Sequence, residues 1–229
     1  MSKNKLQEIK QLISTCTDDE CKELLQYIRT RVNIHPLEEK LGCKAEIILE
    51  AIERSSDLTL RGIRGIIAEA AFKTVVLNNL VGWEDITPEG DYPFDFKIKK
   101  MNKEITIQVK MQRLKKHRPM TAKEGYKIYP DNMYVVETQR TRGGKLNGED
   151  SRPYRFGEFD ILAVSLHPST NNWKDFMYIP SKWLIPRRDK ENFLMKFQPV
   201  AKKPNNDWTT DLLTCIKWHN SNIQKTLNF

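Results

Sequence analysis

Asp95, Gln108 and Lys110 carry a carboxylate, an amide and an amine, which one β-hairpin could bring onto a single face. Mg²⁺ prefers one or two carboxylates together with other hard oxygens and water. Asp95 can supply the main carboxylate, while Gln108 and Val109 can add a side-chain and a main-chain carbonyl oxygen. Glu69 adds a second carboxylate if its helix packs beside the hairpin. Lys110 would then orient a water molecule and stabilise developing negative charge, so the set suits Mg²⁺-assisted hydrolysis of a phosphodiester.

The hairpin is predicted from alternating apolar and polar side chains in residues 94–99 and 105–111. With a two-residue loop at 101–102, the register places Asp95 directly opposite Gln108. The apolar face, which we expect to be buried, comprises Phe94, Phe96, Ile98, Ile105, Ile107 and Val109.

A helix over about residues 60–78 is predicted to carry Glu69, because apolar side chains lie on nearly all of its sides, as in a helix packed into a core. Before it, apolar residues at helical spacing and a capping box at Thr17–Glu20 indicate a helical N-terminal subdomain, residues 1–58. Residues 59–229 are then the core domain. Its later strands are expected at 133–137, 160–166 and 176–179, and a C-terminal helix at about 208–222.

The composition indicates a folded protein that attracts polyanions. The 229 residues include 38 Lys and Arg against 30 Asp and Glu, a surplus of +8, and 39% are hydrophobic. These values exclude a membrane-embedded class and disfavour extensive disorder. The surplus favours a polyanionic partner but carries no information about fold.

The four cysteines form no CxxC pair and have no His at metal-ligand spacing, so neither a zinc site nor a disulfide framework is indicated. The N-terminus lacks a secretory pattern, and the longest apolar stretch is interrupted by charges. We therefore expect a cytoplasmic protein that has no membrane segment and binds no organic cofactor.

Three short segments together resemble the motifs of the PD-(D/E)xK nuclease superfamily. They are Gly65–Glu69 (Gly-Ile-Ile-Ala-Glu), Tyr92–Asp95 (Tyr-Pro-Phe-Asp) and Ile107–Lys110 (Ile-Gln-Val-Lys), and the later segment Arg152–Val164 resembles core strands of type II restriction endonucleases in that superfamily. The resemblance implies an α/β fold with a central mixed β-sheet flanked by helices, Mg²⁺-dependent cleavage of DNA and a homodimer. One departure is Gln108, which stands where the family usually has an acid, as in a Gln-x-Lys variant.

Basic residues concentrate around the predicted hairpin and in one Gly-containing loop. Residues 99–118 hold eight Lys and Arg with only Glu104 opposing them, and residues 139–157 form a basic loop that is too long for a simple turn. We predict DNA contacts from Lys99, Arg113, Lys115, Lys116 and Arg118 in the first segment, and from Arg140, Arg142, Lys145, Arg152 and Arg155 in the second.

The leading hypothesis is a type II restriction endonuclease that cuts double-stranded DNA as a two-fold homodimer. A structure-selective DNA repair or junction-resolving nuclease of the same superfamily is the nearest alternative. A catalytically inactive DNA-binding regulator is the third, and Gln108 in the acidic position favours it.

Each candidate residue also has a purely structural interpretation. Asp95 and Lys110 could form a simple cross-strand ion pair. Glu69 could be a buried acid that pairs with a nearby base. Gln108 could be an ordinary exposed strand residue.

Overall fold

A computed structural model describes residues 3–32, 35–140, 145–146, 149–150 and 152–228 of the chain. It divides into two compact units, Met1–Leu60 and Arg61–Phe229. This division falls inside a helix, Asp57–Val75, and so does the boundary predicted after residue 58. Neither position is therefore a linker between elements.

The first unit contains helices α1 (Lys3–Ile13), α2 (Asp18–Arg31), α3 (Pro36–Leu41), α4 (Ala45–Glu53) and the start of α5 (Asp57–Val75). The predicted capping box is confirmed at the start of α2. The Thr17 hydroxyl accepts a hydrogen bond from the Glu20 N–H at 3.4 Å, and the Glu20 carboxylate accepts one from the Thr17 N–H at 2.8 Å. Pro36 begins α3, where its missing N–H removes no helical hydrogen bond.

The second unit contains strands β1 (Glu84–Asp85), β2 (Phe96–Lys100), β3 (Lys103–Met111), β4 (Leu114–Lys115), β5 (Arg118–Pro119), β6 (Tyr134–Glu137), β7 (Lys145–Leu146), β8 (Glu149–Asp150), β9 (Ile161–Ser165), β10 (Phe176–Pro180) and β11 (Phe197–Val200). Its helices are the rest of α5, α6 (Ala122–Gly125), α7 (His167–Thr170) and α8 (Leu212–His219), with 3₁₀ turns at Leu77–Asn79 and Ser181–Trp183. In the part of the chain that the structure describes, no helix combines the length and apolar character needed to cross a membrane.

The central sheet has five strands in the order β1-β2-β3-β9-β10. The pairing of β3 with β9 is parallel, and the other neighbours are antiparallel. Apolar side chains of α5 and α8 pack on one face of this sheet. The expected α/β class, with a mixed central sheet flanked by helices, is confirmed.

The predicted register of the hairpin is also confirmed. Lys100 pairs with Lys103 across the two-residue loop, in which Met101 adopts a left-handed conformation with φ of 54°. Asp95 lies one residue before β2, and its N–H donates to the Ile107 carbonyl oxygen at 3.0 Å. Ile107 is the partner of Phe96, so the ladder departs by one residue from the predicted register at Asp95, as in a β-bulge, and Asp95 does not pair directly with Gln108.

Phe72 of α5 fixes this helix on the sheet. The side chain is fully buried, and its ring centroid lies 5.4 Å from that of Phe96 and 5.3 Å from that of Phe176. A second core cluster contains Leu162, Met177 and Trp183 among other buried residues. Phe94, expected on the same buried face as Phe96, instead packs at the edge of this cluster and stacks on Tyr92 at 5.3 Å. The reason is that Phe94 precedes β2, so strand alternation does not apply to it.

Strand β11 and helix α8 are among the elements that differ from the prediction. Strand β11 was not predicted, and its Pro199 is unfavourable inside a sheet. Here Pro199 is tolerated because β11 pairs on one side only, with β6. Helix α8 is shorter than expected. Asp211 caps it by accepting from the Thr214 N–H at 3.0 Å, and Trp208, predicted inside the helix, lies before the cap and is buried in the second core cluster.

We predict that Phe72→Ala lowers the free energy of unfolding by about 3–5 kcal/mol, because it leaves a cavity where three aromatic rings meet. Urea denaturation followed by circular dichroism measures the effect. The matched control is Val81→Ala, at a side chain that is 89% exposed, which should change stability by less than about 0.5 kcal/mol. Equal midpoints for the two variants would contradict the central position of Phe72.

Candidate active site

The Asp95 carboxylate is the point at which the candidate site is assembled. One of its oxygens, Oδ2, accepts hydrogen bonds from the Val109 N–H at 2.7 Å and from Gln108 Nε2 at 2.5 Å. Gln108 Nε2 also lies 3.2 Å from the Val109 carbonyl oxygen. The side chain of Gln108 is only 2% exposed, so its interpretation as an ordinary exposed strand residue is wrong.

Glu69 and Lys110 are electrostatically coupled to Asp95. Burial, helped by the Asp95 charge and opposed by Lys110, raises the pKa of Glu69 to about 7. Burial likewise raises the pKa of Asp95, whereas the Lys110 charge and the hydrogen bonds from Val109 and Gln108 lower it. Burial lowers the pKa of Lys110, whereas the charges of Asp95 and Glu69 raise it. Hydrogen bonds thus join Gln108 and Val109 to Asp95, and electrostatic coupling joins Glu69 and Lys110 to it.

The simple ion-pair interpretation of Asp95 and Lys110 does not fit this geometry. Among the described residues, the Lys110 amine forms no ion pair within 4.0 Å of a carboxylate. It lies instead over the ring of Tyr154, 5.3 Å from the ring centroid. The amine therefore stays close to two carboxylates without being neutralised by direct contact with either of them.

The oxygen atoms at this point fit a divalent ion such as Mg²⁺. The Asp95 carboxylate lies with the Gln108 amide and the Val109 carbonyl, and the Glu69 carboxylate is near enough to be coupled to Asp95, which matches the preference of Mg²⁺ for few carboxylates and further hard oxygens. The described residues include no group of three or more His, Cys, Asp or Glu side chains suited to a metal. Carbonyl oxygens and water would therefore complete the shell, with the Gln108 amide turned to present Oε1.

Five of the ten predicted DNA-contacting residues carry ion pairs to other described residues. These join Lys99 to Glu104 (3.9 Å), Arg113 to Glu137 (3.5 Å), Lys115 and Arg118 to Glu124 (3.1 and 2.6 Å), and Arg140 to Glu158 (2.8 Å). The hydrogen bonds from Arg118 hold the pKa of Glu124 far below its usual range. A sequence count of basic residues therefore overstates the charge that is free to meet a polyanion.

The remaining predicted contacts are distributed differently. Lys116 is exposed at the turn of the β4–β5 hairpin with φ of 49°, and the Arg155 guanidinium lies 4.8 Å over the ring of Phe193. Arg152 is exposed. Arg142 lies outside the described residues, and only the main chain of Lys145, in β7, is described.

The basic surplus belongs to the unit that holds the site. Residues 61–229 contain 29 Lys and Arg against 19 Asp and Glu, whereas residues 1–60 contain 9 against 11. A polyanion would therefore be attracted to the second unit, despite the ion pairs within it.

Two residues that contact Lys110 or Arg140 were not identified from the sequence. The Tyr154 ring, 4% exposed, is contacted by both Lys110 and Arg140, and Glu158 holds Arg140. Tyr154 lies near the end of the predicted basic loop, residues 139–157, and Glu158 directly follows it, where no periodic pattern distinguishes them. Only the long-range packing of this segment against β3 identifies them.

We predict that Glu69 makes stability fall as the pH rises. Its pKa of about 7 lies above the ordinary value, so between about pH 4.5 and pH 7 the folded state holds a proton that the unfolded state has released. The free energy of unfolding should drop across this window by up to about 3 kcal/mol.

Glu69→Gln stays neutral and should remove this dependence, so that its stability relative to wild type increases from pH 5 to pH 7.5. Urea denaturation in EDTA measures both proteins, with the exposed loop residue Glu89 changed to Gln as the control. A difference between Glu69→Gln and wild type that does not change with pH would refute the prediction.

Comparison with known proteins shows no family. No protein-family model matches the chain, and no curated protein matches it. Among solved structures, a bacterial homing endonuclease, I-Ssp6803I, is similar at 19% sequence identity and a TM-score of 0.39, over 72% of this chain and 92% of that chain. A likeness at this level carries no argument about activity.

Proposed function

We propose that the protein is a type II restriction endonuclease, which hydrolyses phosphodiester bonds of double-stranded DNA with Mg²⁺. The observation that carries the proposal is the meeting of Asp95, Gln108 and the Val109 main chain at one point, with Glu69 and Lys110 electrostatically coupled to it. Hard oxygens beside a partly buried amine are the combination that hydrolysis at phosphorus requires.

The residues divide the chemistry between them. Mg²⁺, when bound, polarises a phosphoryl oxygen and lowers the pKa of the attacking water. Asp95, Glu69 and the carbonyl oxygens of Gln108 and Val109 would hold it. Lys110 orients the water and offsets the negative charge that develops on the phosphate oxygens. Water adds across one P–O bond, and its proton goes to the leaving oxygen.

DNA is the proposed partner because a backbone of phosphates matches the basic surplus of residues 61–229. The exposed Lys116 and Arg152 are proposed to contact phosphates outside the site. Binding that depends on such contacts weakens steeply as the salt concentration rises.

We further propose a two-fold homodimer, because one site cuts one strand and a dimer can cut both strands of a palindromic site. Large apolar side chains on the first helices support it: Leu12 is 67% exposed, Ile47 60% and Leu49 63%. Sedimentation velocity measures the mass of the assembly directly, and a monomer at micromolar concentration would rule out this part of the proposal.

We predict that wild-type protein with Mg²⁺ cuts plasmid DNA into discrete fragments. Asp95→Asn and Lys110→Ala should each lower the single-turnover rate at least about 100-fold, because the first removes the main metal ligand and the second removes charge stabilisation. Both variants should keep their affinity for DNA within about threefold, as measured by fluorescence anisotropy in Ca²⁺.

The matched controls are Asp91→Asn in the preceding loop and Lys103→Ala at the hairpin turn, both exposed, which should cut like wild type. Cleavage of branched DNA alone would replace the restriction enzyme with a repair or junction-resolving nuclease. Binding without cleavage in any divalent metal would leave a DNA-binding regulator.

We predict that Gln108→Glu tightens metal binding roughly tenfold, because it adds a negative charge to the proposed ligand set. Without metal the same change should lower the urea midpoint, since it replaces two hydrogen bonds with repulsion from Asp95. Titration calorimetry with Mn²⁺ at pH 8 measures the affinity, and Gln224→Glu is the exposed control. Unchanged affinity would place the metal elsewhere.

A further inference from the structure

Two cations of the second unit lie over one buried aromatic ring. Lys110 Nζ lies 5.3 Å from the centroid of the Tyr154 ring, and the Arg140 guanidinium carbon lies 5.4 Å from it. The two positive charges are close enough for Arg140 to lower the pKa of Lys110, although burial lowers it more. Like charges at such proximity repel, so holding the two cations side by side costs free energy.

The ring cannot move away from the two cations. Tyr154 is 4% exposed and belongs to the second core cluster, where its ring meets that of Phe159 edge to face at 5.4 Å. Its carbonyl oxygen accepts a hydrogen bond from the Leu194 N–H at 2.9 Å. Tyr154 is therefore a fixed support, anchored through both its main chain and its side chain.

Arg140 is also held in place. Its guanidinium binds Glu158 at 2.8 Å, and the other oxygen of Glu158 accepts from the Arg155 N–H at 3.0 Å. The Arg140 N–H donates to the Arg152 carbonyl oxygen at 2.9 Å. The guanidinium Nε is buried and has no hydrogen-bond partner among the described residues. The side chain is therefore held in place although, within the described part of the chain, one of its N–H donors is unused.

The face of an aromatic ring attracts cations, and each such contact offsets part of the repulsion between the two charges. Two cations placed side by side suit an anion whose charge increases during the reaction. A phosphodiester is such an anion, because it gains negative charge as water attacks phosphorus. Two cations fixed on one support would meet that charge without having to reorganise.

We propose that Tyr154 is a positioning residue that holds Lys110 and Arg140 together at the scissile phosphate, which makes Arg140 a catalytic residue. This inference rests on the proposed nuclease function. It changes the role expected for Arg140, which the sequence placed among the DNA contacts of a basic loop.

The test compares Tyr154→Phe, which keeps the ring, with Tyr154→Leu, which removes it. Tyr154→Phe should cut at saturating DNA within about threefold of the wild-type rate, and Tyr154→Leu should be slower by about 10- to 30-fold, with KM nearly unchanged. In an Arg140→Ala background, Tyr154→Leu should lower the cleavage rate by a smaller factor, because one of the two positioned cations is already absent.

The matched control is Tyr134→Leu, at a half-buried ring with Lys202 Nζ 5.0 Å from its centroid, which should keep the wild-type rate. Thermal melting of each variant identifies any loss of folding. The proposal is overturned if Tyr154→Leu cuts like wild type, or if Tyr154→Phe is as slow as Tyr154→Leu.

A second readout does not depend on cleavage. In proton NMR, the ring current of Tyr154 should shift the Lys110 side-chain methylene signals upfield in wild type and Tyr154→Phe but not in Tyr154→Leu. If wild type fails to cut DNA, the proposed function and the catalytic role of Arg140 fail together. The methylene shifts then still decide whether the ring positions Lys110, and equal shifts in all three proteins overturn that part.

Discussion

The hydrogen bond from the Val109 N–H to the Asp95 carboxylate is the constraint on which the rest of the second unit depends. It forms in the register that pairs Lys100 with Lys103. A slip of one residue would turn every side chain of β3 to the opposite face of the sheet. One strand thus places Ile107 in the core and Lys110 in the candidate site, so the packing of the fold and the geometry of the site are determined by the same register.

Helix α5 connects that core to the chemistry. Phe72 packs into the aromatic cluster on the sheet, and Glu69, nearly one helical turn before it, is thereby held close enough to Asp95 to raise its own pKa. Two neighbouring carboxylates and an amine without a direct ion pair reduce stability, because burial disfavours each charged form. The apolar packing of Phe72 offsets this cost. Charged groups that are held together at the expense of stability are expected at a functional site.

The basic residues show why total charge is a weak guide to an interface. Arg118 and Lys115 share Glu124, and Arg140 is held by Glu158, so these cations maintain the local structure before they meet any partner. Lys110 differs from these cations, because it lies over an aromatic ring and, among the described residues, not within 4.0 Å of a carboxylate. A ring attracts a cation without neutralising it.

The sequence by itself determined the features that depend on neighbouring residues. Alternation and a two-residue loop predicted the hairpin and its register, and the Thr17 capping box predicted the start of α2, because these patterns act over a few residues. Only the tertiary structure decided which distant groups meet. The contact of Tyr154 with Lys110 spans a long segment of chain, and the pairing of β11 with β6 contradicts the local signal of Pro199. Such contacts depend on how the chain closes on itself, and no short pattern encodes this closure.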